Sequence, residues 1–209
     1  MPAVNKLDQH KEKAIQILRN DPVLKRLLEQ HELPSPVVEN DIYRVLLHSI
    51  VSQQLSTKAA STIWNRFLSL FPKKYPSPEI LIELDEEKLR TSGLSRQKAS
   101  YLKAIAGEAL EGNLKDEVVF AMDDKSVHEH LTRIKGVGPW TVEMIMIFAL
   151  GKMDVFPASD LGIQIAMKEL YSINKERKAL IRQMQSIAED WRPYRSYASL
   201  LLWEFKDQR

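Results

Sequence analysis

At 209 residues, 44% of them apolar and 28% charged, the chain has material for one or two domains with a buried core and the composition of a soluble globular protein. Its net charge of +2 rules out a polycation, so any nucleic-acid footprint must come from where lysines and arginines are placed rather than from their sum. The absence of cysteine excludes disulfides, thiolate catalysis and a cysteine-ligated iron–sulfur cluster, and fits a reducing compartment.

In chain order the predicted elements are helical throughout. Lys6, Asp8, His10 and Lys11 interrupt any apolar stretch at the start, so no cleaved signal is expected, and no later run is long and apolar enough to span a membrane. Ala14, Ile15, Ile17 and Leu18 share one helical face, and Asp21-Pro22 opens a second short helix with proline at an early position. Glu32 to Pro36 is a break. A strongly apolar helix is predicted from Ile42 to Gln54, and Ser56 caps another that reaches Phe71. Phe71 to Pro78 is the longest evident loop. Short helices follow over Glu79 to Leu84 and Glu86 to Thr91, ending near Gly93, and Ser95 caps a helix to about Leu110. Ser126 or Asp123 starts the next helix and Pro139 the one after it. Asp160 is a good N-cap for Leu161 to Tyr171, and two last helices run from Lys175 to Asp190 and from Tyr194 to Phe205. No segment alternates with period two, and there is no internal repeat or low-complexity tail. The fold class is all-α.

Two segments carry chemistry. In Leu131 to Val142, an amphipathic run enters the tight turn Gly136-Val137-Gly138 and leaves into the apolar run Val142 to Leu150. Glycines one residue apart permit positive φ and leave the backbone bare, and Pro139 suits the first turn of a helix because its missing N–H would be unpaired there. Alone, such a turn reads first as an ordinary connection between helices. As a helix-hairpin-helix, it offers N–H groups at a helix N-terminus to a phosphate, with Lys135 beside them, and a DNA backbone is the natural ligand. Gly136, Gly138 and Lys135 are therefore candidate DNA-binding residues. The second segment, Asp154-Val-Phe-Pro-Ala-Ser-Asp160-Leu-Gly162, holds two carboxylates. Asp160 reads equally as a helix N-cap and as a functional anion, and a helix N-terminus favours negative charge in either role. Asp154 reads as structural. The five histidines form no metal constellation, since His128 and His130 point to different faces of one helix and read as solvated or capping residues.

These two segments, together with Ser49 to Ala60 and Trp191 to Ala198 with Trp203, resemble the helix-hairpin-helix DNA glycosylase superfamily, and within it most closely the 3-methyladenine DNA glycosylase II branch. The motifs are separated, stand in the family's order and cover most of the chain from about residue 40. The resemblance implies two helical lobes with a cleft between them: one of residues 41–140, ending in the hairpin turn, the other of residues 1–40 plus 141–209. The bacterial archetype's additional β-rich N-terminal domain finds no counterpart in this chain, so a minimal form is expected.

The same resemblance implies roles for single residues. Asp160 falls where the family keeps its essential carboxylate, which would stabilise positive charge on the sugar as an N-glycosidic bond breaks and help orient water. Bifunctional relatives place a Schiff-base lysine two positions after the second hairpin glycine; here that residue is Trp140, and a monofunctional enzyme without lyase activity is expected. Trp140, Met144 and Tyr194 would line the base pocket, with Met144 replacing a tyrosine of the archetype. Electron-rich rings suit cationic bases such as 3-methyladenine and 7-methylguanine. Trp191, Tyr197 and Trp203 read as core. Gln54 aligns with the side chain that fills the gap left by a flipped base, or else helps end its helix. Arg96 and Lys98 would pair phosphates or stand as surface charges. The backbone carbonyls of Thr132, Ile134 and Val137 would hold a structural Na+ or K+. No cofactor is required. The expected partner is damaged double-stranded DNA, with no membrane association. A monomer is expected, cytoplasmic at the nucleoid in a bacterium or archaeon and nuclear in a eukaryote. The other readings are a glycosylase for another lesion, such as hypoxanthine, and a non-catalytic helix-hairpin-helix DNA-binding module.

Overall fold

The structure, a computed structural model, describes residues 4–208, with side chains from His10 onward. The ends of the predicted second lobe, residues 1–3 and 209, and the side chains of Lys6 and Asp8 lie outside that description. The described residues form thirteen α-helices and two single-turn 3-10 segments, with no strand among them. No described helix is long and apolar enough to cross a membrane.

Short polar side chains set most of the starts. Asp21, Asp41, Ser56, Asp85, Ser95, Asp123 and Asp160 each accept an N–H from the first turn of the helix that follows. Each such cap contributes on the order of 1 kcal/mol. The helices are α1 (Val4–Leu18), α2 (Pro22–Gln30), α3 (Ile42–Ser52), α4 (Thr57–Leu68), α5 (Pro78–Glu83), α6 (Glu86–Thr91), α7 (Arg96–Leu110), α8 (Asp116–Phe120), α9 (Asp124–Leu131), α10 (Pro139–Phe148), α11 (Leu161–Leu170), α12 (Arg177–Ala188) and α13 (Arg195–Asp207).

Several predicted boundaries move, each for a local reason. The fourth helix stops at Leu68 rather than Phe71, because Pro72 drives the residue before it into extended backbone, and Phe71 sits at φ −119°, ψ 147°. The expected loop after it contains a 3-10 turn over Pro72–Lys74. The third helix ends at Ser52, and Gln54 takes φ +58°. Asp123, not Ser126, caps α9. The penultimate helix spans Arg177–Ala188 and passes into a 3-10 turn over Glu189–Trp191. The five-residue α8 is too short to show a period in sequence; its Asp116 carboxylate accepts the Ile42 N–H at 3.0 Å.

The chain divides into two compact units, residues 39–145 and residues 1–38 with 146–209. In the continuous unit α3 packs on α4 and α7, and α5 and α6 cover α7. Ile42, Leu46, Ile50, Leu102 and Ile105 are fully buried there, and Trp64, Phe67 and Phe71 form a run of ring contacts. In the discontinuous unit α11 packs on α13 and α12, and α1 and α2 pack on α13. Its core holds Leu18, Leu24, Met167, Met184, Trp191 and Tyr197. Asp21 joins its two chain segments: Oδ1 caps α2, while Oδ2 accepts the Tyr171 hydroxyl at 2.8 Å and the Trp191 indole N–H at 3.0 Å.

Candidate functional site

In the continuous unit the chemistry gathers around the turn between α9 and α10. Buried Ile134 and Val137 anchor it, and the Val137 N–H donates to the Ile134 carbonyl at 3.0 Å. The two glycines differ. Gly136 has φ +92°, and a Cβ there would lie 2.2 Å from Cγ of Tyr101. Gly138 is outside the left-handed region, and a Cβ on it would meet nothing within 4 Å. Gly136 is glycine because the fold demands it. Neither backbone conformation nor packing demands glycine at Gly138, so its bareness leaves open space beside the first turn of α10, where N–H groups suit an anion. Exposed Lys135 stands next to this turn with its Nζ 3.1 Å from Ser100 Oγ.

The loop between α3 and α4 is tied to the same turn. Gln53 Nε2 donates to the Gly136 carbonyl at 3.2 Å and to Thr141 Oγ1 at 3.1 Å. Lys98, on α7, donates its ammonium to the Val51 and Gln53 carbonyls at 2.8 and 2.7 Å, and burial lowers its pKa. Its charge is thus engaged with the end of α3. Between these fixed points Gln54 is exposed in the left-handed region, a conformation that costs a non-glycine residue about 1–2 kcal/mol and holds only where the surroundings determine it. Arg96 is exposed, with Nε 3.5 Å from Glu86. Trp140 is half-buried and Met144 buried one turn later on α10. His130 Nε2 lies 2.8 Å from the Asn113 carbonyl.

In the discontinuous unit the segment before α11 is held rigidly against the start of α13. The Val155 N–H donates to Ser196 Oγ at 3.0 Å, and the Ser196 N–H donates to the Met153 carbonyl at 2.9 Å. Asp154 pairs with Arg195 Nε at 2.6 Å and also with Arg192, so this carboxylate is structural. Buried Val155, Phe156 and Ala158 lead through a turn at Pro157 to Asp160. Asp160 Oδ1 accepts the Ile163 N–H at 2.9 Å and the Trp203 indole N–H at 2.9 Å. Tyr194 is buried, edge-on to Tyr197, with its hydroxyl 3.5 Å from His10 Nδ1.

The structure therefore brings Gln54, Lys98, Lys135, Gly136 and Gly138 into one part of the continuous unit, and Asp160 and Tyr194 into the other unit. Sequence reasoning missed two participants. Gln53 looks in sequence like a helix end, and Trp203 like core; each contact closes over a long sequence separation that no local spacing signals.

Comparison with known proteins agrees in kind. The model of the HhH-GPD superfamily of base excision DNA repair proteins matches residues 47–193. The chain is 33% identical to YfjP of Bacillus subtilis over 86% of its own length, and spans 64% of that relative. It is 36% identical to DNA-3-methyladenine glycosylase 1 of Schizosaccharomyces pombe, covering 78% of this chain and 71% of the relative. Among solved structures, the Schizosaccharomyces pombe 3-methyladenine DNA glycosylase Mag1 in complex with abasic DNA superposes with a TM-score of 0.87 at 33% identity, covering 93% of this chain and 97% of that one.

Proposed function

This chain belongs to the HhH-GPD superfamily of base excision DNA repair proteins, and we propose that it is a monofunctional DNA glycosylase that removes alkylated purines such as 3-methyladenine and 7-methylguanine. Support comes from relatives that bear the name of that activity and from a similar structure that holds abasic DNA, the product of such a reaction. The observation that carries the reading is Asp160, a carboxylate fixed by two donors at the start of α11 within the segment matched by the family.

A base stacked in a duplex is out of reach, so the enzyme must extrude it before chemistry. The hairpin N–H groups and Lys135 would hold a backbone phosphate. Gln54, whose strained backbone projects from a braced loop, would enter the space that the base leaves. Trp140 and Met144 in the continuous unit, and Tyr194 in the discontinuous one, are the proposed contacts of the extruded base, whose positive charge is attracted by aromatic faces. Breaking the N-glycosidic bond sends its electron pair to the departing base and leaves positive charge on the sugar. The Asp160 carboxylate stabilises that charge and water adds to the anomeric carbon, its proton passing to Asp160 and from there to solvent. Trp140 stands where a Schiff-base lysine would serve a lyase, so the product is an intact abasic strand. The hairpin carbonyls of Thr132, Ile134 and Val137 present neutral oxygen ligands; the one hydrogen bond on Ile134 leaves it a second lone pair. Such oxygens are the donors that a Na+ or K+ takes, and an ion held by them would supply positive charge near the phosphate. One copy per lesion suffices, so the protein acts as a monomer.

The test is release of base from DNA methylated in vitro, by wild type and Asp160→Asn. Asparagine caps a helix as well as aspartate, so the variant should melt like wild type and bind DNA equally well. Its excision rate should fall by about 10²-fold or more, the scale of losing a preorganised electrostatic group. An Asp160→Asn protein that excises at the wild-type rate would remove Asp160 from the chemistry. A wild type that releases neither base would refute the substrate class.

A further inference from the structure

Trp203 looks like a core aromatic, and core packing accounts for its ring but not for the direction of its N–H. Nε1 donates to Asp160 Oδ1 at 2.9 Å, the same oxygen that accepts the Ile163 N–H at 2.9 Å. One donor belongs to α11 and the other to α13. An N-cap bond alone leaves a carboxylate free to rock about it; a second donor from another helix fixes the oxygen, and with it the plane of the group. The indole is itself held, stacked on Phe148 with ring centres 5.9 Å apart and planes 29° from parallel.

Gly162 supplies an independent observation. It sits in the first turn of α11 without positive φ, where alanine would favour the helix over glycine. A Cβ there would lie 3.1 Å from Asp160 Oδ1 and 3.2 Å from Trp203 Cδ1, closer than ordinary contact to both partners of this one bond. The glycine is explained by the space that the bond needs.

We propose that Trp203, with Gly162 making room for it, is a positioning residue that sets the orientation of the Asp160 carboxylate towards the sugar. This rests on Asp160 being the catalytic carboxylate. Electrostatic stabilisation of a developing charge depends on preorganised geometry, and an N–H bonded to an anion is among the stronger hydrogen bonds available for holding it. A misplacement of about 1 Å at a reacting centre can cost on the order of 10²-fold in rate.

The experiment compares wild type, Trp203→Phe, Gly162→Ala and Asp160→Asn in single-turnover excision from methylated DNA, in affinity for abasic-site DNA, and in the ¹H–¹⁵N indole spectrum, where the protein has four tryptophans. Phenylalanine keeps an aromatic ring against Phe148 and removes the N–H. Trp203→Phe should bind abasic DNA within about twofold of wild type and excise about tenfold or more slowly. The indole peak that it removes should shift in Asp160→Asn and in Gly162→Ala, and Gly162→Ala should also excise more slowly. Wild-type excision by Trp203→Phe, or a rate loss matched by an equal loss of DNA affinity, would overturn the proposal. Should Trp203→Phe fail to fold, Gly162→Ala decides: a shifted peak with slower excision supports the proposal, while an unshifted peak at wild-type rate overturns it. Wild-type excision by Asp160→Asn would sink the underlying reading as well, whereas a fast Trp203→Phe beside an inert Asp160→Asn would sink only this one.

Discussion

Gly136 and Gly138 are chemically identical and stand two positions apart, yet substitution should affect them in opposite ways. Alanine at Gly136 must adopt a left-handed conformation and collide with the Tyr101 ring. We expect Gly136→Ala to lose at least about 1–2 kcal/mol of stability, read as a lower melting temperature. Alanine at Gly138 meets no neighbour and restricts the unfolded chain, so Gly138→Ala should melt at or slightly above the wild-type temperature. Its added methyl group would stand where a phosphate must come close, so DNA affinity, read by fluorescence anisotropy, should fall although the fold is intact. Equal DNA affinity for Gly138→Ala and wild type would mean that no ligand approaches the hairpin there. Asp160 shows the same lesson in another form: a capping residue by geometry and, as proposed, the reacting group by position.

At the scale of elements, α3, α7 and the α9–α10 turn form a brace around Gln54. Lys98 bonds the carbonyls at the end of α3, and Gln53 reaches from there to the hairpin. Lys98 and Lys135 carry the same charge but should behave differently. Removing a lysine that touches a phosphate lowers the salt slope of DNA binding by about one counterion. Lys135→Met should do this. Lys98→Met should leave the slope unchanged, since its ammonium serves two carbonyls, while lowering the melting temperature and slowing excision. Binding isotherms at several salt concentrations separate the cases, and a reduced slope for Lys98→Met would place that ammonium on DNA. Much of this architecture was legible in sequence. Capping residues and helical periods located the long helices, and the hairpin and the aspartate after Phe156-Pro157 were recognisable as motifs. What escaped was non-local or short. The five residues of α8 are too few for a period, Pro72 cut back α4 where apolar residues continued, and nothing near Trp203 or Gln53 reveals the atoms that they bond.

At the scale of the molecule, both units depend on tyrosines kept protonated. Burial raises the phenol pKa of Tyr43, Tyr75 and Tyr171, to about 12 for Tyr75. In Tyr171 the bond donated to Asp21 adds to the effect. Because each folded value lies above the ordinary phenol value of 10.0, the stability these groups contribute is intact below that pH and is lost as pH rises through the folded values. Melting temperature should therefore decline between about pH 10 and about pH 11, and Tyr171→Phe should decline less steeply. A flat profile over that range would show that these phenols ionise without cost. The division of the chain also orders its birth. Residues 39–145 are continuous and can be buried as soon as they leave the ribosome, whereas the partners of α1 and α2 lie beyond residue 146. Domains usually fold from the N-terminus during synthesis. The helices α1 and α2 are therefore covered late: Leu18 and Leu24 share a core with α13, and Asp21 waits for Tyr171 and Trp191, 150 and 170 residues downstream. While the residues between are being made, α1 and α2 thus carry apolar side chains whose cover has not yet been synthesised.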